Sequence, residues 1–257
     1  MTEKDSKTRT FRVPLADLAA GERVLPADAA HYVTRVRRLI RGDAFVAFDP
    51  VAALESNATL LEATRDRVLC RLEAPRPGAV PDGPRVTLIQ CAGKGDKIED
   101  VIRSATALGA ASIVFAESER AVVRFGTADA DKRHARFRAI ALDAGRQSGR
   151  GDLPTISIAA SLADACDRTA PGAAKFCLDP EASTAFFEAL QGHRAPEIVL
   201  LIGPEGGLTA AEYDAAESAG FVRVRLGKFT LRTELAAAAA LGALAAFSYG
   251  VPSRSAL

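Results

Sequence analysis

Between Pro75 and Pro84 the chain carries four prolines and two glycines in ten residues. Proline lacks a backbone donor and clashes with the preceding helical turn, so neither a helix nor a central strand runs through such a stretch. The chain is therefore expected to fold as two bodies, one over residues 1–77 and a larger one over 78–257. A length of 257 residues allows each a core of its own.

Before this boundary, residues 44–48, 58–64 and 67–72 have the character of strands. In the last of them Val68, Cys70 and Leu72 alternate with Arg67, Arg71 and Glu73, although Leu69 interrupts the period of two. A small β-rich domain is the expectation. Beyond the boundary, short apolar runs at 86–90, 112–115, 175–178 and 198–202 alternate with helical stretches at 98–108, 131–147 and 183–190. That alternation predicts a largely parallel α/β sheet with helices on its faces.

Composition narrows the class. A hydrophobic fraction of 48% and a charged fraction of 25% are those of a globular protein rather than a disordered one. The first twelve residues are charged and lack the apolar block of a signal peptide, so a short frayed tail is expected there. The most apolar run, 235–247, falls short of the roughly 20 residues of a membrane span and reads as a buried helix. Cys70, Cys91, Cys166 and Cys177 form no C-x-x-C pair, which argues against zinc or redox chemistry and for reduced thiols in a cytoplasmic protein. No metal is expected. A net charge of +1 carries no global field for nucleic acid. Positive charge is instead local, at Arg35, Arg37, Arg38 and Arg41, and again at Lys132, Arg133, His134, Arg136 and Arg138.

Four segments have the makings of a site. The strand 198–202 runs into Gly203-Pro204-Glu205-Gly206-Gly207, and Thr209 with Glu212 then has the spacing of a capping box, with Leu208 and Tyr213 as a hydrophobic staple. Glycines there let main-chain groups approach a ligand closely. A strand at 222–226 leads to Gly227-Lys228-Phe229-Thr230 and a final helix, where Thr233 suits an N-cap and Glu234 suits the positive end of the helix dipole. Arg232 beside this turn is placed to meet a phosphate or a base carbonyl. A third turn, 90–97, joins strand to helix through glycine and charge. Arg146-Gln147-Ser148-Gly149-Arg150 ends a basic helix and offers forked donors suited to RNA phosphates.

Together, His31-Tyr32-Val33-Thr34-Arg35-Val36 with Gly42-Asp43, Lys94-Gly95-Asp96-Lys97, Gln147-Ser148-Gly149-Arg150, Gly203-Pro204-Glu205-Gly206-Gly207, and Leu226-Gly227 with Leu231-Arg232-Thr233-Glu234 resemble, in order, the family that methylates N3 of a uridine in 16S ribosomal RNA, within the SPOUT methyltransferases. The resemblance implies a small PUA-like β-barrel at the N-terminus, a trefoil-knotted α/β domain after it, a homodimer, and S-adenosylmethionine as cofactor. It implies cofactor contacts at Leu178, Leu201, Ile202, Gly203, Gly206, Leu226, Gly227 and Leu231. RNA contacts would come from Arg35, Arg38, Lys94, Lys97, Arg146, Gln147 and Arg150, with ribosomal RNA or the small subunit as partner. Ala107, Phe229, Leu235 and Arg37 depart from the family's usual residues. For chemistry the expectation is that Arg232 stabilises the uracil anion, while Glu234 accepts the N3 proton or orients Arg232. The competing readings are a noncatalytic ribosome-binding or assembly protein that keeps the fold, and a methyltransferase of another RNA base.

Overall fold

In the computed structural model, residues 11–91, 93, 95–121, 124–126, 129–191 and 195–250 are described. They divide into two compact units, residues 1–80 with 145–153, and residues 81–144 with 154–257. This differs from the single cut at 77/78, because the stretch 145–153 joins the first unit rather than the second.

In the first unit the strands are β1 (Arg12–Pro14), β2 (Gly21–Val24), β3 (Ala44–Asp49), β4 (Leu54–Ala63), β5 (Val68–Leu72) and β6 (Arg76–Pro77), with helix α1 (Ala27–His31) and a π-helical turn at Tyr32–Val36. Their order is β1-β3-β4-β5-β2, with β6 on β4; β1 and β3 are parallel and the other pairs antiparallel. Alternation sends Ala58, Leu60, Val68, Cys70 and Leu72 inward to meet Val13, Leu25, Val33 and Phe45.

Residues 145–153 are tied in by backbone. Gly151 N donates to Ala79 O at 2.6 Å and Arg12 Nη2 donates to Arg150 O at 3.3 Å. A Cβ on Gly151 would lie 2.8 Å from both Cα and C of Gly78, so only glycine fits.

The second unit contains β7 (Arg85–Cys91), α2 (Gly95–Ala107), β8 (Ser112–Ala116), α3 (Ala130–Ser148, whose last turn belongs to the first unit), β9 (Thr155–Ile158), α4 (Leu162–Asp167), β10 (Ala174–Leu178), α5 (Phe186–Gln191), β11 (Glu197–Ile202), α6 (Ala210–Ser218), β12 (Val222–Val224) and α7 (Thr233–Gly250). The strand order is β12-β10-β11-β7-β8-β9, every neighbouring pair parallel. Successive residues of a strand point to opposite faces. Thus Leu88, Phe115, Phe176 and Leu200 pack with α2, α3, α5 and α7 on one side. Ile89, Cys177, Val199 and Leu201 pack with α4 and α6 on the other. The α/β class read from the alternation is the one observed, with helices on both faces.

Two boundaries moved for a reason. The helix expected at 183–190 starts only at Phe186, because Thr184 O accepts from Arg225 N and Phe186 N donates to Arg225 O. That exchange also ends β12 early and leaves an isolated bridge between Ala185 and Arg225. All four cysteines are buried and unbridged, and burial pushes the Cys91 thiol up to about 12. Among the described residues no helix is long and apolar enough to cross a membrane.

Gly151→Ala is expected to destabilise the protein by about 1–3 kcal/mol through overpacking against Gly78. Thermal melts of the two proteins test this, and an unchanged Tm would mean that the glycine contact carries no constraint.

Candidate active site

Parallel neighbours end at the same edge of a sheet, so the loops that follow β10, β11 and β12 emerge side by side. They enclose a cavity of about 480 Å³, within the roughly 300–1,000 Å³ that small-molecule sites span. Leu178 and Pro180 line it from the first loop, Ile202 to Gly207 from the second, and Leu226, Gly227 and Phe229 to Thr233 from the third, with Tyr213 of α6. The two glycine turns singled out in the sequence therefore share one hollow.

Of the residues expected to hold a cofactor, Leu178, Ile202, Gly203, Gly206, Leu226, Gly227 and Leu231 line this cavity. Leu201 does not. Its side chain is fully buried in the core between the sheet and α4 and α6, because strand alternation turns it away from its neighbour Ile202, so any cofactor contact there would be made by its main chain, the kind of group that the resemblance implies.

The lining is largely main chain and hydrocarbon. A Cβ at Gly227 would meet nothing within 4 Å, so glycine keeps that wall as bare backbone. Gly207 adopts φ +69°, the left-handed region that favours glycine. Its N–H donates to Pro204 O at 2.9 Å and closes the turn. Arg120 Nη1 donates to Gly206 O at 3.0 Å. Beyond the turn Thr209 and Glu212 form the capping box: Thr209 N donates to Glu212 Oε2 at 2.8 Å and Glu212 N to Thr209 Oγ1 at 3.3 Å. Leu208 and Tyr213 join one apolar cluster.

Three polar groupings support the walls. Gln90 Nε2 donates to Thr233 Oγ1 at 2.8 Å, and Thr233 Oγ1 donates to Gly203 O at 2.8 Å. The Thr233 hydroxyl is thus committed across the cleft and α7 begins at Thr233 itself, which corrects the N-cap expected there. Asp179, buried, accepts from Arg223 Nε at 2.8 Å, and the Arg223 guanidinium lies 4.4 Å from the centre of the Tyr213 ring. Burial, reinforced by the Asp179 charge, pushes the Tyr213 phenol up to about 12, so it remains a neutral donor. Finally, Lys97 Nζ stands 2.8 Å from Glu205 Oε1 and 3.6 Å from Glu234 Oε2.

The expected catalytic pair is split by this geometry. Arg232 is exposed and lines the cavity. Glu234 is not part of the lining and lies on the Lys97 side, with Oε2 buried and without a hydrogen bond.

The expected RNA contacts also separate. Lys97 bridges two carboxylates, and Lys94 lies outside the described residues. Arg35 and Arg38 are exposed, and Arg38 holds φ +55°, a conformation uncommon for a residue with a side chain. Arg146 stacks 4.2 Å from the centre of the Tyr32 ring, and Gln147 is exposed. Arg150 is corrected: it is 6% exposed, and its guanidinium is turned onto Asp152 at 2.7 and 3.1 Å. Within the first unit a groove of about 810 Å³ is bordered by His31, Arg35, Arg41, Arg65 and Arg67, with Asp66 as its acid. Arg65 and Arg67 come from the turn between β4 and β5 and were not singled out from sequence. In the cavity, Glu205 and Thr230 belong to the two glycine turns named from sequence and Tyr213 to the hydrophobic staple, without a cofactor contact being assigned to any of them.

A parallel sheet with its cavity at the carboxyl edge, walled by glycine turns, defines the class: residues 81–245 match the RNA methyltransferase domain family. The protein named ribosomal RNA small subunit methyltransferase E in Mycobacterium tuberculosis is 34% identical over 229 residues, 86% of this chain and 85% of that protein. Its Bacillus subtilis namesake is 28% identical over 88% of this chain and 89% of that protein. A Neisseria gonorrhoeae ribosomal RNA small subunit methyltransferase E, crystallised bound to S-adenosyl methionine, superposes with a TM-score of 0.82 at 29% identity, covering 93% of this chain and 98% of that one. The chain belongs to the ribosomal RNA small subunit methyltransferase E family.

The Lys97 ammonium is held above the ordinary lysine value of 10.5, chiefly by its hydrogen bond to Glu205 and against the opposing effect of burial. Its contribution to stability is complete below the ordinary value and is lost as pH rises through the raised one. Lys97→Met is expected to lower Tm by an amount that stays constant from about pH 7 to 10 and shrinks above that. Melts across the alkaline range test it, and a deficit that persists unchanged at the top of the range would exclude the ion pair as its source.

Proposed function

We propose that this protein transfers a methyl group from S-adenosylmethionine to N3 of a uridine in 16S ribosomal RNA. The observation that carries the reading is the convergence of three strand-end loops on one cavity lined by glycines, leucines and isoleucine together with Glu205, Tyr213 and Arg232. Such walls suit a flat, polar-edged base and its apolar surroundings, and the family relationship supports the same cofactor. The residues present fit the group: the leucines 178, 226 and 231 with Ile202 would flank it, and the bare main chain at Gly203, Gly206 and Gly227 would meet its polar edges. When bound, it supplies an electrophilic methyl group.

The chain's own part is to orient and to manage one proton. Uracil N3 is a poor nucleophile until its proton leaves, so a site that favours the anion lowers the barrier. Arg232, exposed on the cavity wall, is the cation that stabilises this charge. Glu234, with Lys97 beside it and α7 beginning next to it, orients the region of Arg232 rather than facing the base. Holding nitrogen and methyl carbon close accounts for much of the remaining rate.

The same reading takes the first unit as a PUA-like barrel that binds RNA, the second as trefoil-knotted, and the working protein as a cytoplasmic homodimer. Arg35 and Arg38, with Lys94, Arg146 and Gln147, are the RNA contacts it retains, joined by Arg41, Arg65 and Arg67 around the groove. Among the described residues the groove is bordered by no phenylalanine, tyrosine or tryptophan and by a single imidazole, His31, against four arginines, whereas reading unpaired bases usually relies on several stacking rings. Its chemistry favours phosphates.

Calorimetry with S-adenosylmethionine, together with mass spectrometry of ribosomal RNA from cells lacking the protein, tests the proposal. The parent should bind the cofactor and restore N3-methyluridine; Arg232→Ala should bind it equally and restore little. Failure of the parent to bind would favour an assembly protein, and a methyl group on another base would replace the substrate. For the groove, Arg35→Ala with Arg67→Ala should weaken RNA binding and reduce the slope of log affinity against log salt by about 1.4–1.8, with cofactor affinity unchanged. An unaltered slope would remove the groove from the RNA path.

A further inference from the structure

We infer that Gln90 is a positioning residue for methyl transfer, acting through the Thr233 hydroxyl to lock the Gly203 carbonyl and so set the cofactor-side turn. This rests on the function proposed above, although its geometry does not. Gln90 is the penultimate residue of β7, opposite Ile202 of β11, and it is 2% exposed. A polar amide in such a place is retained only where it has partners, because an unsatisfied buried group is costly.

The direction of the relay follows from proton counting. A hydroxyl has one proton to give. Gln90 Nε2 donates to Thr233 Oγ1 at 2.8 Å and to Cys91 O at 3.2 Å. Thr233 must therefore direct its own proton elsewhere, and it does so to Gly203 O at 2.8 Å. With this carbonyl held, the peptide plane between Gly203 and Pro204 cannot turn. The fixed φ of Pro204 carries that orientation onward to Glu205, Gly206 and Gly207, which wall the cavity. The same hydroxyl pins the first residue of α7, between Arg232 and Glu234. One amide thereby sets the glycine turn and the Arg232 segment together. Gln90 Oε1 is buried without a hydrogen bond, so the residue is held by its donor end, the end that gives the relay its direction.

Polarity, rather than shape, is what the proposal assigns to Gln90, and Gln90→Glu tests it with little change of volume. A carboxylate at this position would accept the Thr233 proton and take it from Gly203 O, whereas the protonated acid could donate as the amide does. Carboxyls buried in proteins titrate as high as about 8–9. The titratable and charged groups on the elements packed here are Cys91 beside Gln90, Arg232 and Glu234 beside Thr233, Glu205 beyond Pro204, and Lys97 of α2, which stands 2.8 Å from Glu205 and 3.6 Å from Glu234. Cys91 is neutral throughout the range used, and Lys97, Glu205, Arg232 and Glu234 are present equally in the parent, whose pH profile is the baseline.

The experiment measures S-adenosylmethionine affinity by calorimetry, turnover at saturating cofactor, and hydrogen exchange of the amides of residues 205–208 without cofactor. Gln90→Leu and Thr233→Val are expected to lose about tenfold in affinity, a scale set by one lost hydrogen bond, and to exchange faster at 205–208, while Thr233→Ser remains close to the parent. Gln90→Glu should be impaired near pH 8.5 and recover toward the parent near pH 6. Parental affinity and exchange in both Gln90→Leu and Thr233→Val would overturn the relay, as would a Gln90→Glu deficit that ignores pH. Should Gln90→Glu fail to fold, the contrast between Thr233→Val and Thr233→Ser decides. Exchange needs no cofactor, so a parent that did not bind S-adenosylmethionine would end the proposed function while leaving the relay to be judged on exchange alone.

Discussion

Everything in the second unit follows from the requirement that a wholly parallel sheet be covered on both faces. Parallel strands cannot be joined by hairpins, so each connection must cross over and return, and the returning helices supply the cover. The same constraint gathers every strand-to-helix loop at one edge. Because β10 lies between β11 and β12, the loops after these three strands meet although they are separated in sequence by up to about fifty residues. The cavity is a consequence of strand order.

A hollow between loops would ordinarily be soft, since loops have few apolar contacts to hold them. Here the stiffening is polar and lies behind the lining. Thr233 joins α7 to the turn after β11, Lys97 joins α2 to the same turn, and Asp179 with Arg223 braces Tyr213. Each bond crosses between elements instead of staying within one. Much of the cavity surface can then be glycine, leucine and isoleucine, with Glu205 and Arg232 as its charged residues.

Much of this was legible in the sequence because it is local. The proline-rich stretch, the apolar runs of β7, β8, β10 and β11, and the capping box at Thr209 and Glu212 are each decided by neighbouring residues. β9 and α4 escaped notice because they are short: β9 has four residues at an edge with none of them buried, and α4 has six, capped by Ser161. The return of 145–153 to the first unit could not be read either, since its cause is a contact between Gly78 and Gly151, far apart in sequence. The orientations of the Leu201 and Arg150 side chains were hidden for a related reason. Motif position shows that a residue is near a site, but the direction of its side chain depends on strand phase for Leu201, and on a nearby acid, Asp152, for Arg150. The resemblance to a family brought the right loops together where periodicity alone would have left them as separate turns.

The near-neutral charge of the chain also acquires a meaning. A net charge of +1 leaves no long-range field to draw in polyanions, so any grip on RNA has to come from places where cations gather without compensating acids. Many of the basic side chains fail that condition, being tied to carboxylates: Arg12 to Glu55, Arg103 to Glu99 and Asp100, Arg136 to Glu99, Arg168 to Asp164. The groove of the first unit meets it more nearly, with four arginines and a histidine bordering it against one aspartate, and with Arg67 paired to Glu62 only at 4.0 Å. Two of those arginines belong to the basic cluster on and beyond the π-helical turn, and two lie at the β4–β5 turn, so the positive surface joins a run visible in the sequence to a turn that is not. A basic run in a sequence is thus a poor guide to a basic surface unless the acids that fold beside it are known.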